Sequence, residues 1–247
     1  MAIKSYLETH GAFRVEDMLE ECGRTQTNRN LLSAAVRAGK ADKVRRGVYV
    51  SRVGRFAGAD PDRYEIARAL FDDPVFAYQS ALELHGCAHN IAPRLVTCFS
   101  GKTASASYGE VVFKSWKAAP EADSVWVGIG KVATTPEQTF VDCLRHPERA
   151  LGVENSVRSV GMLEVDPVRC LEIARACGPA VLAKTACILD LAGRLAGGEG
   201  REAAELARRE VGASYAVLGP LGRKAEMAFD SRWRVYIPRE TVEWLEE

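Results

Sequence analysis

The sequence predicts an α+β chain: a small N-terminal domain of helices closed by a strand pair, then a larger mixed α/β domain with a helical C-terminal part. Three observations predict it. Apolar residues recur at helical spacing three times within the first 38 residues, and the strand formers Val44 and Val48–Val50 follow directly. Between residues 75 and 129, short runs of strand formers alternate with turn residues. Residues 150–210 read as helix throughout, broken at Gly152, Gly161, Asp166-Pro167, Gly178-Pro179 and Gly197-Gly198.

The elements follow in order. Ile3, Tyr6 and Leu7 sit at i, i+3 and i+4, and His10-Gly11 ends that helix, since glycine suits the position past a helix end. A second helical pattern takes Phe13, Val15, Met18, Leu19 and Cys22, and Gly23 stops it. After the Arg24-Thr25 turn, Thr25 or Thr27 can cap a third helix by accepting from a free backbone N–H. This helix runs to Arg37 or Ala38, and Gly39 closes it. Two helices joined by a short glycine-containing turn form a helix-turn-helix.

On the third helix Leu32, Ala35 and Val36 share one face. Gln26, Asn30, Ser33 and Arg37 fall opposite, with Arg29 at the edge. Such side chains read base edges or hold phosphates in a major groove, although a plain solvated face has the same composition. Lys43 and Val44 lead into Arg45-Arg46-Gly47, which reads as a hairpin turn before Val48-Tyr49-Val50. Residues 1–56 therefore read as a winged helix-turn-helix whose wing tip presents two arginines. The expected DNA contacts are Thr25, Gln26, Thr27, Arg29, Asn30, Ser33, Arg37, Lys43, Arg45 and Arg46.

Charge points the same way. The net charge is +0, yet residues 1–56 hold 11 Lys/Arg against 6 Asp/Glu, and residues 24–56 hold nine basic residues against the single acid Asp42. A basic segment on a neutral chain points to a polyanionic partner.

In residues 57–247, Ala57-Gly58-Ala59-Asp60 reads as a joint, and Asp60-Pro61 as the start of a helix with Ile66, Ala67, Leu70 and Phe71 on its buried stripe. A strand is expected over Val75–Tyr78 and a short helix over Ser80–Gly86. Strands are expected again over Leu95–Phe99, Val111–Trp116 and Val125–Ile129. Thr135-Pro136-Glu137-Gln138 has the form of a capping box and opens a helix through Phe140, Val141 and Leu144 that stops before Pro147. A strand is expected over Arg232–Ile237.

The order of these segments resembles the AbiEi family of antitoxin-type transcriptional regulators. It is carried by Arg46-Gly47-Val48-Tyr49, by Tyr78-Gln79-Ser80-Ala81-Leu82 with His85-Gly86, by Thr135-Pro136-Glu137-Gln138-Thr139-Phe140-Val141-Asp142, and by Arg232-Trp233-Arg234. The resemblance implies an autorepressor of a type IV toxin–antitoxin operon. Its implied partners are double-stranded DNA, as an inverted repeat bound by a dimer or by two monomers, and a nucleotidyltransferase-like toxin. The competing reading is a scaffold whose winged helix docks a protein.

No enzyme, metal or cofactor is expected. His85-x-Cys87-x-His89 lacks a third ligand placed by sequence, and Gly86 interrupts its helix, so a backbone-satisfied histidine is the simpler reading. Glu137 and Asp142 are five apart and share a helix face poorly; Glu137 suits the helix N-terminal dipole and Asp142 a neighbouring loop. Gly197-Gly198-Glu199-Gly200 lacks the Lys-Ser/Thr of a phosphate loop and reads as a linker. The four tryptophans read as core or rim residues. Seven cysteines without a Cys-x-x-Cys pair suggest neither disulfides nor a zinc knuckle. With no run of 18 apolar residues and no apolar leader, neither a membrane partner nor a signal peptide is expected, and the expected location is cytoplasmic.

Overall fold

The computed structural model describes residues 2–117, 122–128, 130–219 and 226–246. They form a mixed α/β structure of helices and several sheets. By contacts the chain divides into two compact units, Met1–Pro74 with Pro93–Ala118, and Val75–Ala92 with Ala119–Glu247.

The first unit opens on α1 (Ile3–Thr9), which buries Ile3, Tyr6 and Leu7. Next comes a strand, β1 (Ala12–Arg14), where a helical pattern was expected to begin. Phe13 is not on the second helix: it pairs with Tyr49 and points into the core, 3% exposed. The second helix, α2, spans Val15–Cys22 and ends at Gly23, whose φ is 102°. α3 (Gln26–Arg37) follows, then β2 (Ala41–Arg45) and β3 (Val48–Ser51). The three strands form one antiparallel sheet in the order β1-β3-β2. Its inner face and the three helices enclose a core built on Tyr6, Leu7, Phe13, Met18, Leu19 and Leu32.

The helix expected to start at Asp60-Pro61 starts two residues later. α4 spans Arg63–Leu70, and Asp62 caps it, accepting from the Tyr64 N–H at 2.8 Å. Pro61 therefore precedes the cap instead of opening the helix; the Asp62 carboxylate meets an orphan N–H and decides the frame. The last carbonyls of α4 are met by arginines from the small sheet. Arg14 donates to the Ala69 carbonyl at 2.9 Å, to the Phe71 carbonyl, and to Asp72 at 2.6 Å. Arg45 donates to the Leu70 carbonyl. Cations beside the exposed carbonyls of a helix C-terminus satisfy them and favour the helix dipole. The compact unit therefore runs past the joint expected after Phe56 and takes in α4. It also holds β5 (Leu95–Ser100), β6 (Ala104–Tyr108) and β7 (Val111–Lys117), with β5 parallel and β6 antiparallel to β7.

The second unit contains β4 (Val75–Phe76), α5 (Gln79–Leu84), β8 (Ser124–Gly128) and β9 (Lys131–Thr134), with β9 paired parallel to β4 and antiparallel to β8. Ile129, the expected end of the strand from Val125, lies outside the described residues. α6 (Pro136–Arg145) is capped as expected, the Gln138 N–H donating to Thr135 Oγ1 at 3.2 Å. Then come α7 (Val153–Met162), α8 (Pro167–Ala176), α9 (Pro179–Leu191) and α10 (Gly198–Glu210). α9 is the centre of this layer, with eight buried residues among its 13. Gly198, Glu199 and Gly200 are not a linker: they form the first turn of α10, and Gly200 is buried. β10 (Ala216–Val217), β11 (Met227–Asp230) and β12 (Val235–Pro238) form a small sheet ordered β10-β12-β11, and α11 (Thr241–Glu246) follows. Arg232 and Trp233 precede the strand instead of joining it. Trp233 is fully buried, its indole N–H donating to Asp190 at 2.9 Å, while Arg232 holds the same carboxylate at 2.8 Å.

Candidate nucleic-acid interface

α3 is built as a helix with one anchored stripe and a wide free face. Thr25, not Thr27, is its cap: the Asn28 N–H donates to Thr25 Oγ1 at 3.1 Å. The Asn28 side chain then donates to the carbonyls of Cys22 and Gly23, both at 2.8 Å. That pair of bonds ties the end of α2 to the start of α3 and fixes the angle between them. Leu32 is the one fully buried residue of α3, at 2% exposure. Ala35 and Val36 are only half-buried.

The solvent arc of α3 is correspondingly broad. Thr25, Gln26, Thr27, Arg29, Asn30, Ser33 and Arg37 are all exposed, so the structure places seven of the ten expected contacts together on one helix and its cap. Leu31, at 50% exposure, and Ala34 lie on the same arc and were not among the expected contacts. The signal was in the sequence. If Leu32 alone marks the buried direction, the helix period of 100° per residue puts Ala34 close to its opposite and Leu31 on the flank. Within the arc, Gln26 Nε2 donates to Asn30 Oδ1 at 3.0 Å, and Ser33 Oγ returns its hydrogen to the Arg29 carbonyl at 3.0 Å.

The hairpin after α3 carries the other three. Arg46 and Gly47 make its two-residue turn, with Gly47 at φ 82°, a backbone state that costs glycine little. Lys43 and Arg46 are exposed. Arg45 is exposed too, but its guanidinium is bound to the end of α4, so it is a structural clamp and not a free cation at the wing tip. Sequence alone could not reveal this, because its partner is a main-chain carbonyl 25 residues away.

Electrostatically the face is mostly basic, although the Glu16 carboxylate stands near the hairpin turn at Gly47. Asp42, the acid inside the basic segment, is held by Arg52 at 2.7 Å and by the Tyr108 hydroxyl at 2.8 Å, and those bonds keep its carboxyl below the usual carboxylate range. Arg29, Arg37, Lys40, Lys43 and Arg46 have no carboxylate partner among the described residues, whereas Arg24 is paired with Glu20.

In the second unit, His85, the His89 N–H and Glu137 have structural partners, and Asp142 does not have the one expected. His85 Nε2 lies 2.8 Å from the Thr134 carbonyl oxygen, and Gly86 follows at φ 73° past the end of α5. The His89 N–H donates to Ser159 Oγ at 3.0 Å. Asn155 accepts from the Asn90 N–H at 2.9 Å and donates to Gln79 at 3.0 Å, so the loop holding Cys87 and His89 is fastened to α5 and α7. Glu137 accepts from the Asp166 N–H at 3.1 Å. Asp142 does not hold a loop. It is 4% exposed, its Oδ2 has no hydrogen-bond partner among the described residues, and burial pushes its carboxyl up to about 7 against the opposing bond from Gln138. All seven cysteines are free thiols. Of the tryptophans, Trp126 stands 72% exposed on β8.

No family model and no curated protein matches this sequence. Among solved structures, the chain is similar to the crystal structure of the RV2827C protein from Mycobacterium tuberculosis, with a TM-score of 0.65 and 12% sequence identity over 99% of this chain and 92% of that one. At that identity the likeness is one of fold.

Proposed function

We propose that the chain is a sequence-specific, double-stranded DNA-binding regulator of the antitoxin type, acting as a repressor through a winged helix-turn-helix at its N-terminus. One observation carries the reading: a capped helix whose exposed arc carries Gln26, Arg29, Asn30, Ser33 and Arg37 is followed directly by a hairpin turn bearing a free arginine. The order α1-β1-α2-α3-β2-β3, with its β1-β3-β2 sheet, supports reading the segment as a winged helix. α3 then enters the major groove. Gln26, Asn30, Ser33 and Arg37 face base edges, while Thr25, Arg29, Lys43 and Arg46 hold the backbone on either side, and Thr27 lies between these two sets. Repression follows from occupying a promoter, with two copies on an inverted repeat.

The second unit acts in this proposal without chemistry of its own. The hydrogen bonds of His85, the His89 N–H and Glu137 favour that role. The excess of acidic residues after residue 56 suits contact with a basic partner, such as a toxin. A mobility-shift assay with duplexes recovered from promoter-region fragments tests the proposal. The expected result is a discrete complex that unlabelled specific duplex displaces at far lower concentration than scrambled duplex. Equal displacement by both would defeat it.

A further inference from the structure

We infer that the outer arc of α3 reads an A·T base pair in each half-site, Asn30 taking the adenine and Leu31, with Thr27 and Ala34, taking the methyl group of thymine. The inference rests on the DNA-binding reading above. Two rows run side by side along the exposed arc. Gln26, Asn30, Ser33 and Arg37 form a polar row, and Thr27, Leu31 and Ala34, at i, i+4 and i+7, form a row of methyl-bearing side chains beside it.

Leu31 stands half in water on a helix whose other outward residues are polar or small. Cations without a carboxylate partner among the described residues, Arg29 and Arg37 on the same helix and Lys40, Lys43 and Arg46 in the segment that follows it, give a setting that suits a phosphate-bearing partner and not an apolar protein face. Within the major groove, the thymine C5 methyl is the apolar group a base pair offers such a side chain.

The polar row supplies the complementary half. The bond from Gln26 Nε2 to Asn30 Oδ1 orients the Asn30 amide. Its two Nδ2 hydrogens and the second lone pair of Oδ1 are left for a ligand. Adenine presents the matching pair on its major-groove edge, N7 as acceptor and N6 as donor. A G·C pair offers two acceptors on guanine, no methyl group and no match to an oriented amide.

The test uses the full chain and a duplex it selects from a random library. The selected site should hold an A·T pair in each half. Replacing that thymine by uracil removes one methyl group and should weaken binding about fourfold. Leu31→Ala should weaken binding to the thymine duplex and remove the difference between thymine and uracil. Replacing the adenine by 7-deazaadenine removes the N7 acceptor and should cost about fivefold, an effect that Asn30→Ala should abolish. Leu31 and Asn30 are exposed, so neither variant threatens the fold. Selection of a site whose affinity is indifferent to uracil at every A·T pair would overturn the inference and leave DNA binding intact. Failure to select any duplex would overturn both.

Discussion

Arg45 and Arg46 are adjacent, of the same type and both exposed, yet the structure gives them different work. Arg45 donates to the last turn of α4, whereas Arg46 has no partner among the described residues and sits in the hairpin turn. Arg45→Ala should therefore lower thermal stability, by about 1 kcal/mol, because it leaves a helix-end carbonyl without its donor. Arg46→Ala should leave the unfolding transition unchanged and weaken binding to all duplexes alike. Thermal unfolding and duplex titration of the two variants would show the contrast, and identical profiles would remove the distinction. Asp142 gives a second prediction at this scale. Its carboxyl is pushed up to about 7 in the folded chain, so the folded state retains a proton that the unfolded state gives up near pH 4. That contribution is complete below the ordinary carboxylate pKa and is lost as pH rises towards about 7. Relative to Asp142→Asn, the natural chain should lose stability across that window, by a few kcal/mol at most. A constant difference between the two from pH 4 to pH 7, measured by denaturant titration, would contradict the assignment.

Among the elements, α3 is held by one fully buried residue, Leu32, by the half-buried Ala35 and Val36, and by its cap. Thr25→Ala leaves the Asn28 N–H without its side-chain acceptor and should cost about 1 kcal/mol of stability. Thr25→Ser should restore most of it, as checked by chemical denaturation; a Ser variant no better than Ala would mean that the cap bond contributes nothing. The helices were legible in the sequence because several turns of apolar spacing repeat the same message, and caps such as Thr25 and Thr135 mark where they begin. β1 was not legible. Three residues carry too little alternation to show a period, and Phe13 fits the adjoining helical pattern equally well. The start of α4 shifted because Asp60 and Asp62 are both good caps and only the fold selects between them. In the candidate interface, the exposure of the seven expected contacts on α3 and its cap follows from local periodicity. The loss of Arg45 to α4 is a tertiary contact, and the exposure of Leu31 depends on how little of α3 the core takes.

For the molecule as a whole, the organising fact is an uneven charge distribution under a net charge of +0. The basic excess of the first 56 residues gathers on α3 and the hairpin, where Arg29, Arg37, Lys40, Lys43 and Arg46 have no acidic partner among the described residues. In the proposed reading this face binds a duplex by displacing condensed counterions, so its affinity should depend on salt. The most direct measurement is the slope of log affinity against log salt for the selected duplex, taken between roughly 50 and 200 mM, for the natural chain and for Arg46→Ala. The account predicts a steep negative slope that becomes shallower by about 0.9 when this one phosphate contact is removed. A flat slope, or one that Arg46→Ala leaves unchanged, would contradict it.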